Sequence, residues 1–195
     1  MEETHKKDVI SLDRYKKELI SSDPYLERLF REVDDKNTDI FQSQKKPFPS
    51  LIGAIIGQRI SFYSARKMRG DLYSKIGTDF TPKDVLELDL AFLGNKEDVV
   101  RRVCVYIINN NVSLETEEDI ISLRCVKGIG RWTTDTTILT CMLYLDSGYD
   151  IFPYGDKFIE KRLIRLYGKS INVEEHSEKW SPYRSIVTWY FWRWF

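Results

Sequence analysis

The sequence predicts an all-α protein, and three observations carry that prediction. Apolar residues recur at the spacing of a helix face along nearly the whole chain, strand-like alternation is rare, and helix start and stop residues punctuate the apolar runs. A chain of 195 residues, 42% hydrophobic and 31% charged, can bury a core as one domain or as two small lobes.

The elements follow in order. In "SDPYLERLFREVD", Ser22 or Asp23 is expected to cap a helix with Pro24 in its first turn and Leu26, Leu29, Phe30 and Val33 on one face. After the loop "NTDIFQSQKKPFPS", Ser50 is expected to cap a run through "LIGAIIGQRISFYSARKMRGDLYSKIG". There Leu51, Ile52, Ile55, Ile56 and Ile60 are apolar nearly all round, as in a core helix. Thr81, Pro82 and Asp84 repeat the start signal, and "KEDVVRRVCVYIINN" is amphipathic. A short helix near 116 to 124 leads to a long one from about 131 to 145, then to one from about 156 to 167 ending at Gly168. A final helix runs close to the last residue, and the N-terminal part is expected to form a lobe with it.

Composition excludes several classes of function. No apolar run reaches the roughly 18 residues of a membrane span, and "MEETHKKDVISLDRYKKEL" lacks an apolar signal core. The expectation is an intracellular protein of the cytoplasm, nucleoid or nucleus, not a secreted one. Cys104, Cys125 and Cys141 show no CxxC spacing and the histidines are His5 and His176 alone, so buried structural thiols are expected rather than disulfides or a zinc site. Thirty basic residues balance thirty acidic ones, which rules out a globally basic chain. Locally, however, Lys157, Lys161, Arg162, Arg165 and Lys169 face only Glu160 between residues 157 and 169, enough for one face to meet an anion.

"LRCVKGIGRWTTDTTILTCMLYL" puts two glycines two apart between helical runs. Gly128 and Gly130 there can take positive φ or admit a close backbone, and Gly130 leaves the first amides of the next helix open to a phosphate oxygen. A plain helical hairpin, with glycines needed only for the turn, is the alternative. Downstream, "DIFPYGDKFIEKRLIRLYG" sets Asp156 at the start of a basic helix, where a carboxylate caps the helix and is also fixed and aimed. Four of the five tryptophans fall in the last sixteen residues and the fifth, Trp132, follows Gly130 and Arg131. Aromatics so spaced are usually core, but Trp132 and one tail aromatic can also wall a slot for a flat cationic ring.

The landmarks "AIIGQRIS", "VKGIGRWT", "FPYGD" and "WSPYRS", in this order and spacing, resemble the helix-hairpin-helix DNA glycosylase superfamily, and within it the AlkA-type 3-methyladenine DNA glycosylase II branch. The match runs from "DPYLERLF" at 23 to the end, and a compact version lacking the separate N-terminal sheet domain of larger AlkA-like enzymes is expected. The resemblance implies a two-lobed all-α fold with the active-site cleft between lobes. Residues 1–195 would form one compact unit, with a helical lobe at about 35–115 and a hairpin and catalytic lobe at about 116–195, joined by the N-terminal helices.

It further implies residue roles. Asp156 matches the catalytic aspartate, which stabilises an oxocarbenium-like transition state and orients water. Trp132 and Trp192 match aromatic base-pocket positions, with Tyr154 and Asp135 beside them; the alternative for Asp135 is a solvated face. Lys127, Gly128, Ile129, Gly130 and Arg131 would grip DNA at the hairpin. Gln58 and Arg59 fall where the family fills the gap left by a flipped base, Arg59 being the wedge. Trp132 stands where strand-cleaving relatives carry a lysine, so a monofunctional enzyme without AP-lyase activity is expected.

No cofactor is required on this reading. No metal-ligating residues are assigned and no iron–sulfur cluster is expected, since no cysteine follows 141. A monovalent cation, sodium or potassium, is expected at the hairpin. The expected partner is double-stranded DNA with a damaged base, without a membrane, and the expected state is a monomer. The reaction would be hydrolysis of the N-glycosidic bond of a flipped alkylated purine of the 3-methyladenine or 7-methylguanine type, in base excision repair. Alternatives are a glycosylase for uracil, mismatched or oxidised bases, or a non-catalytic hairpin protein that only binds DNA.

Overall fold

The structure is a computed structural model that describes residues 2–33, 46–141 and 149–195, with side chains from residue 12 onward. Its described residues hold eleven α-helices joined by turns and short 3-10 segments, and no strand. In chain order the helices are α1 Glu2–Ser22, α2 Leu26–Glu32, α3 Pro47–Gly57, α4 Phe62–Ile76, α5 Pro82–Leu86, α6 Glu97–Asn110, α7 Glu117–Ser122, α8 Arg131–Cys141, α9 Lys157–Tyr167, α10 Val173–Ser177 and α11 Arg184–Arg193. None of them is long and apolar enough to cross a membrane.

Contacts divide the chain into two compact units, Met1–Ser43 with Leu143–Phe195, and Gln44–Met142. The division does not fall near residue 115. α8 lies chiefly against α3, so the hairpin and its second helix belong with α3 to α7 rather than with Asp156.

In the second unit α3 is the core helix, with Leu51, Ile52, Ile55 and Ile56 fully buried. Burying such a side chain stabilises by about 1.5–3 kcal/mol. Ser50 is not its cap. The helix starts three residues earlier at Pro47, whose preset φ and missing N–H suit a first helical position, and the Ser50 hydroxyl is buried without a hydrogen-bond partner among the described residues. Nor does the run continue to residue 77 as one helix. It breaks at residues 58–61, where Arg59 takes the left-handed φ of 57°, and Ser61 then caps α4 by accepting from the Ser64 amide at 3.1 Å. At α5 the expected capping box is present: Asp84 N donates to Thr81 Oγ1 at 3.4 Å and Thr81 N to Asp84 Oδ2 at 2.7 Å. α8 is described to Cys141; the rest of the run expected to 145 lies outside the described residues.

In the first unit Leu26, Leu29 and Phe30 are buried on one face of α2, and Val33, its C-cap, is buried beside them. They join an aromatic core in which Trp180, Tyr190, Phe191 and Trp194 are at most 2% exposed. Most of the aromatic tail is therefore core, and Trp192 alone of its tryptophans is half-buried. Neither Ser22 nor Asp23 caps α2, whose N-cap is Tyr25 without a side-chain cap bond, so Pro24 lies ahead of the helix; Asp23, 3% exposed, is engaged by more distant partners instead. Its Oδ2 accepts from Trp180 Nε1 at 2.9 Å and from the Tyr167 hydroxyl, with His176 Nε2 also at 2.9 Å, so α1, α9 and α10 are tied to one carboxylate. Burial pushes that carboxyl upward, but Tyr167, Trp180 and His176 outweigh it and hold it below the usual range.

Candidate functional site

Asp156 is positioned by the chain on both sides of it. The connection entering the turn is pinned to the start of α11: Ser185 Oγ donates to Tyr149 O at 2.7 Å and accepts from Ile151 N at 2.9 Å. Asp150 takes the Arg184 guanidinium through Nε at 3.0 Å and Nη2 at 2.8 Å, together with the Ser181 hydroxyl at 2.8 Å. The turn then closes with Tyr154 N on Phe152 O at 2.9 Å and Asp156 N on Pro153 O at 3.1 Å, Gly155 taking a φ of +83° that a side chain would resist.

The Asp156 carboxylate is 8% exposed, and its two oxygens have different partners. Oδ1 accepts from the amides of Phe158 at 2.9 Å and Ile159 at 3.2 Å, which is the N-cap of α9. Oδ2 accepts from Trp192 Nε1 at 3.2 Å. The carboxylate thus stands at the positive end of an eleven-residue helix. Tyr154 is half-buried, its hydroxyl 2.8 Å from Ser177 Oγ and its ring against Phe152.

The basic face expected on residues 157–169 is largely engaged inside this unit. Lys157 pairs with Glu160 at 2.6 Å, and Arg165 lies 3.7 Å from Glu32 and over the Trp194 ring. Arg162 is half-buried between the Phe158 ring and the Trp194 carbonyl. Desolvation and Arg165 bring its guanidinium down to about 10, against the opposing pull of Asp156.

In the other unit the hairpin has the expected strained glycine at one position. Gly128 has φ of +102°, and a Cβ there would meet Val99 Cγ2 at 2.7 Å. Gly130 has no left-handed φ and open space where a side chain would be. Ile129, 4% exposed, anchors the turn from below, while Lys127, Gly128, Gly130 and Arg131 are exposed. Gly130 O accepts from Thr133 N at 3.0 Å and Thr134 N at 3.2 Å to start α8.

The turn at 58–61 is welded to this hairpin. Gln58 Nε2 donates to Gly128 O and to Thr133 Oγ1, both at 2.9 Å, so Gln58 ties two backbone segments together. Lys96 is 6% exposed and donates to Gln58 O at 2.6 Å; burial, then the nearby Arg59 charge, lower its pKa. Arg59 is exposed on top of this support.

Trp132 is half-buried, its Cη2 3.7 Å from where a Cβ of Gly57 would lie, an ordinary contact distance. Asp135 is not on a solvated face. It is 5% exposed and pairs with Arg124 Nη2 at 2.9 Å and Arg131 Nε at 3.4 Å. Burial raises its carboxyl and the two guanidiniums oppose the rise. Its charge is answered by the protein itself. The thiols of Cys104 and Cys141 are buried and pushed up to about 12, whereas Cys125 is exposed, contrary to the expectation of three buried thiols.

Several residues that build these surroundings have no local signal. Arg184 and Ser185 stand in the quoted "WSPYRS", but their partners Asp150 and Ile151 lie 34 residues earlier. Lys96 reads as the first residue of an amphipathic helix, and only the fold puts it under Gln58.

No family model matches the chain. It is similar to the DNA-3-methyladenine glycosylase 1 of Schizosaccharomyces pombe, 26% identical over 95% of this chain and 88% of that protein. It is also similar to the alkylbase DNA glycosidase-like protein mag2 of the same organism, 24% identical over 75% of this chain and 77% of that protein. Among solved structures it shares the fold of a DNA-3-methyladenine glycosidase from Bacillus halodurans, with a TM-score of 0.56 and 21% identity over 84% of this chain and 87% of that one. An all-helical protein with a glycine hairpin and a capped aspartate is the class these features define. The chain is thus similar to two yeast proteins named for the removal of alkylated bases from DNA, and it shares the all-helical fold of a third such protein.

Proposed function

We propose that the protein is a monofunctional DNA glycosylase of the AlkA type, which hydrolyses the N-glycosidic bond of alkylated purines such as 3-methyladenine and 7-methylguanine. The observation that carries this reading is the divided carboxylate of Asp156. Helix capping needs one oxygen, and Oδ1 supplies it. Oδ2, held by Trp192 Nε1, is a fixed negative charge beyond what the cap requires. The names of the similar yeast proteins, a DNA-3-methyladenine glycosylase and an alkylbase DNA glycosidase-like protein, support alkylated bases as the substrate class.

The chemistry follows from charge. As the C1′–N bond breaks, its electron pair leaves with the base and positive charge gathers on the sugar; water then adds to C1′ and loses a proton. A preplaced carboxylate stabilises that charge without reorganising at the moment of reaction. An alkylated purine leaves neutral because it starts cationic, so no general acid is needed. Trp132, at the position where lyases carry an amine, offers no nucleophile for a Schiff base.

Lys127, Gly128, Ile129, Gly130 and Arg131 would hold the phosphate backbone of the duplex, and Arg59 would fill the gap left by the flipped base. Its left-handed backbone and the support beneath it agree with a side chain held out from the surface. A sodium or potassium ion in the hairpin would be held by the neutral carbonyls of Val126, Gly128 and Ile129, each with a second lone pair; Lys127 O already faces Arg102 Nε at 3.2 Å. It would supply positive charge for a phosphate oxygen.

The test is base release from duplexes bearing single defined lesions, with hot alkali revealing abasic sites. Wild-type protein should release an alkylated purine and leave the strand intact until alkali is added. Release of uracil or oxidised guanine alone would overturn the substrate class, and a strand break without alkali would overturn the monofunctional reading.

A further inference from the structure

The start of α4 carries a surface that the hairpin reading leaves unused. Phe62 is 54% and Tyr63 79% exposed, side by side in the first turn after Ser61. The Tyr63 ring, the more exposed of the two, offers a flat apolar face at the surface. α4 buries Ala65 and Leu72, while Tyr63, Arg66, Lys67 and Gly70 follow at i, i+3, i+4 and i+7 and are all exposed. Between Arg59 and Gly70 the chain has four basic residues and no acidic one. Among the described residues no carboxylate pairs with Arg66 or Lys67.

This stripe is held in place relative to the hairpin. Lys96 and Gln58 fix the turn before it to Gly128 and Thr133, and the Ser61 cap fixes the first turn of α4. An exposed ring beside two cations, on a rigid support, is the chemistry that binds a nucleic-acid strand whose bases are not all paired: the ring stacks on a base face while the cations meet the backbone. A fully paired duplex offers Tyr63 no such face, whereas a duplex opened at a lesion does.

We infer that the start of α4 is a second DNA-contacting surface, on which Tyr63 stacks an unpaired base and Arg66 and Lys67 hold the phosphates of the same strand. This rests on the reading that the protein opens duplex DNA. The experiment compares the full chain and its variants by fluorescence anisotropy on two ligands, a paired duplex and the same duplex with a three-nucleotide bulge, across a salt series. Tyr63→Ala should weaken binding to the bulged duplex roughly tenfold and barely change binding to the paired one, while Tyr63→Phe stays within about twofold on both. Arg66→Ala with Lys67→Ala should lower the slope of log K against log salt by about 2. All three positions are exposed, and unchanged melting curves establish that the variants fold. Wild-type affinity of Tyr63→Ala for the bulged duplex, or an unchanged salt slope in the double variant, overturns the inference. If those results come from a protein that still releases an alkylated purine, the surface alone is wrong; if wild-type protein neither binds DNA nor releases a base, the glycosylase reading fails with it.

Discussion

Trp192 Nε1 lies 3.2 Å from Oδ2 of Asp156, while the amides of Phe158 and Ile159 hold the other oxygen. The carboxylate therefore has a capping side and a second side, and the two can be separated by mutation. Asn caps a helix about as well as Asp. Asp156→Asn should keep stability within about 0.5 kcal/mol and lower base release roughly 10²- to 10³-fold, the scale of losing one preplaced charge stabiliser. Single-turnover release with a parallel urea titration measures both. Equal rates in wild type and variant would reduce Asp156 to a cap.

The indole itself makes a narrower prediction. Trp192→Phe retains a ring and removes the donor to Oδ2, and a hydrogen bond to a charged group contributes about 1.5–3 kcal/mol. Release should slow by about an order of magnitude with the optimum lesion unchanged. A Phe variant as fast as wild type would show that the N–H does not orient the carboxylate.

The two hairpin glycines should behave differently. Gly128→Ala places a Cβ 2.7 Å from Val99 Cγ2 at a φ of +102°, so it should cost about 1–3 kcal/mol and weaken DNA binding. Val99→Ala added to it should recover only the contact part, because the backbone strain stays. Gly130→Ala meets open space at an ordinary φ and should leave the melting temperature nearly unchanged. Thermal melts of the four proteins decide it, and equal effects at 128 and 130 would contradict the geometry.

How far the sequence could be read depended on how local each signal was. The capping box of Thr81 and Asp84 spans three residues, and the buried face of α2 repeats within two turns, so both were legible. The break at 58–61 was not, because apolar periodicity continues across it through Ile60 and its cause is distant: Gln58 bonds residues 70 and 75 positions away and Lys96 reaches it from 38. Asp135 shows the same limit in electrostatic form. A carboxylate on a helix is ordinarily solvated, and only the fold brings Arg124, eleven residues earlier, alongside it. In the candidate site, Asp156 and the hairpin glycines were read from turn chemistry, whereas the Asp150 and Arg184 brace came from the fold.

Asp23 provides the test by pH. Its carboxyl is held below the ordinary value of 3.8 because the hydrogen bonds from Tyr167, Trp180 and His176 outweigh the desolvation that burial imposes. A carboxylate with a depressed folded pKa contributes stability that is fully present above its unfolded value, and loses it as pH falls through the lower folded value. Wild-type stability from this source should therefore hold down to about pH 4 and fall below it. Asp23→Asn keeps one acceptor but sets an amide against the donors gathered on Oδ2, and should cost about 2–3 kcal/mol at pH 7. Between about pH 4 and pH 2 the two proteins should converge, as wild type takes up the proton that ends its advantage. Urea titrations at steps of pH measure this; parallel stability curves down to the acid limit would mean that the carboxylate charge does not hold α1, α9 and α10 together.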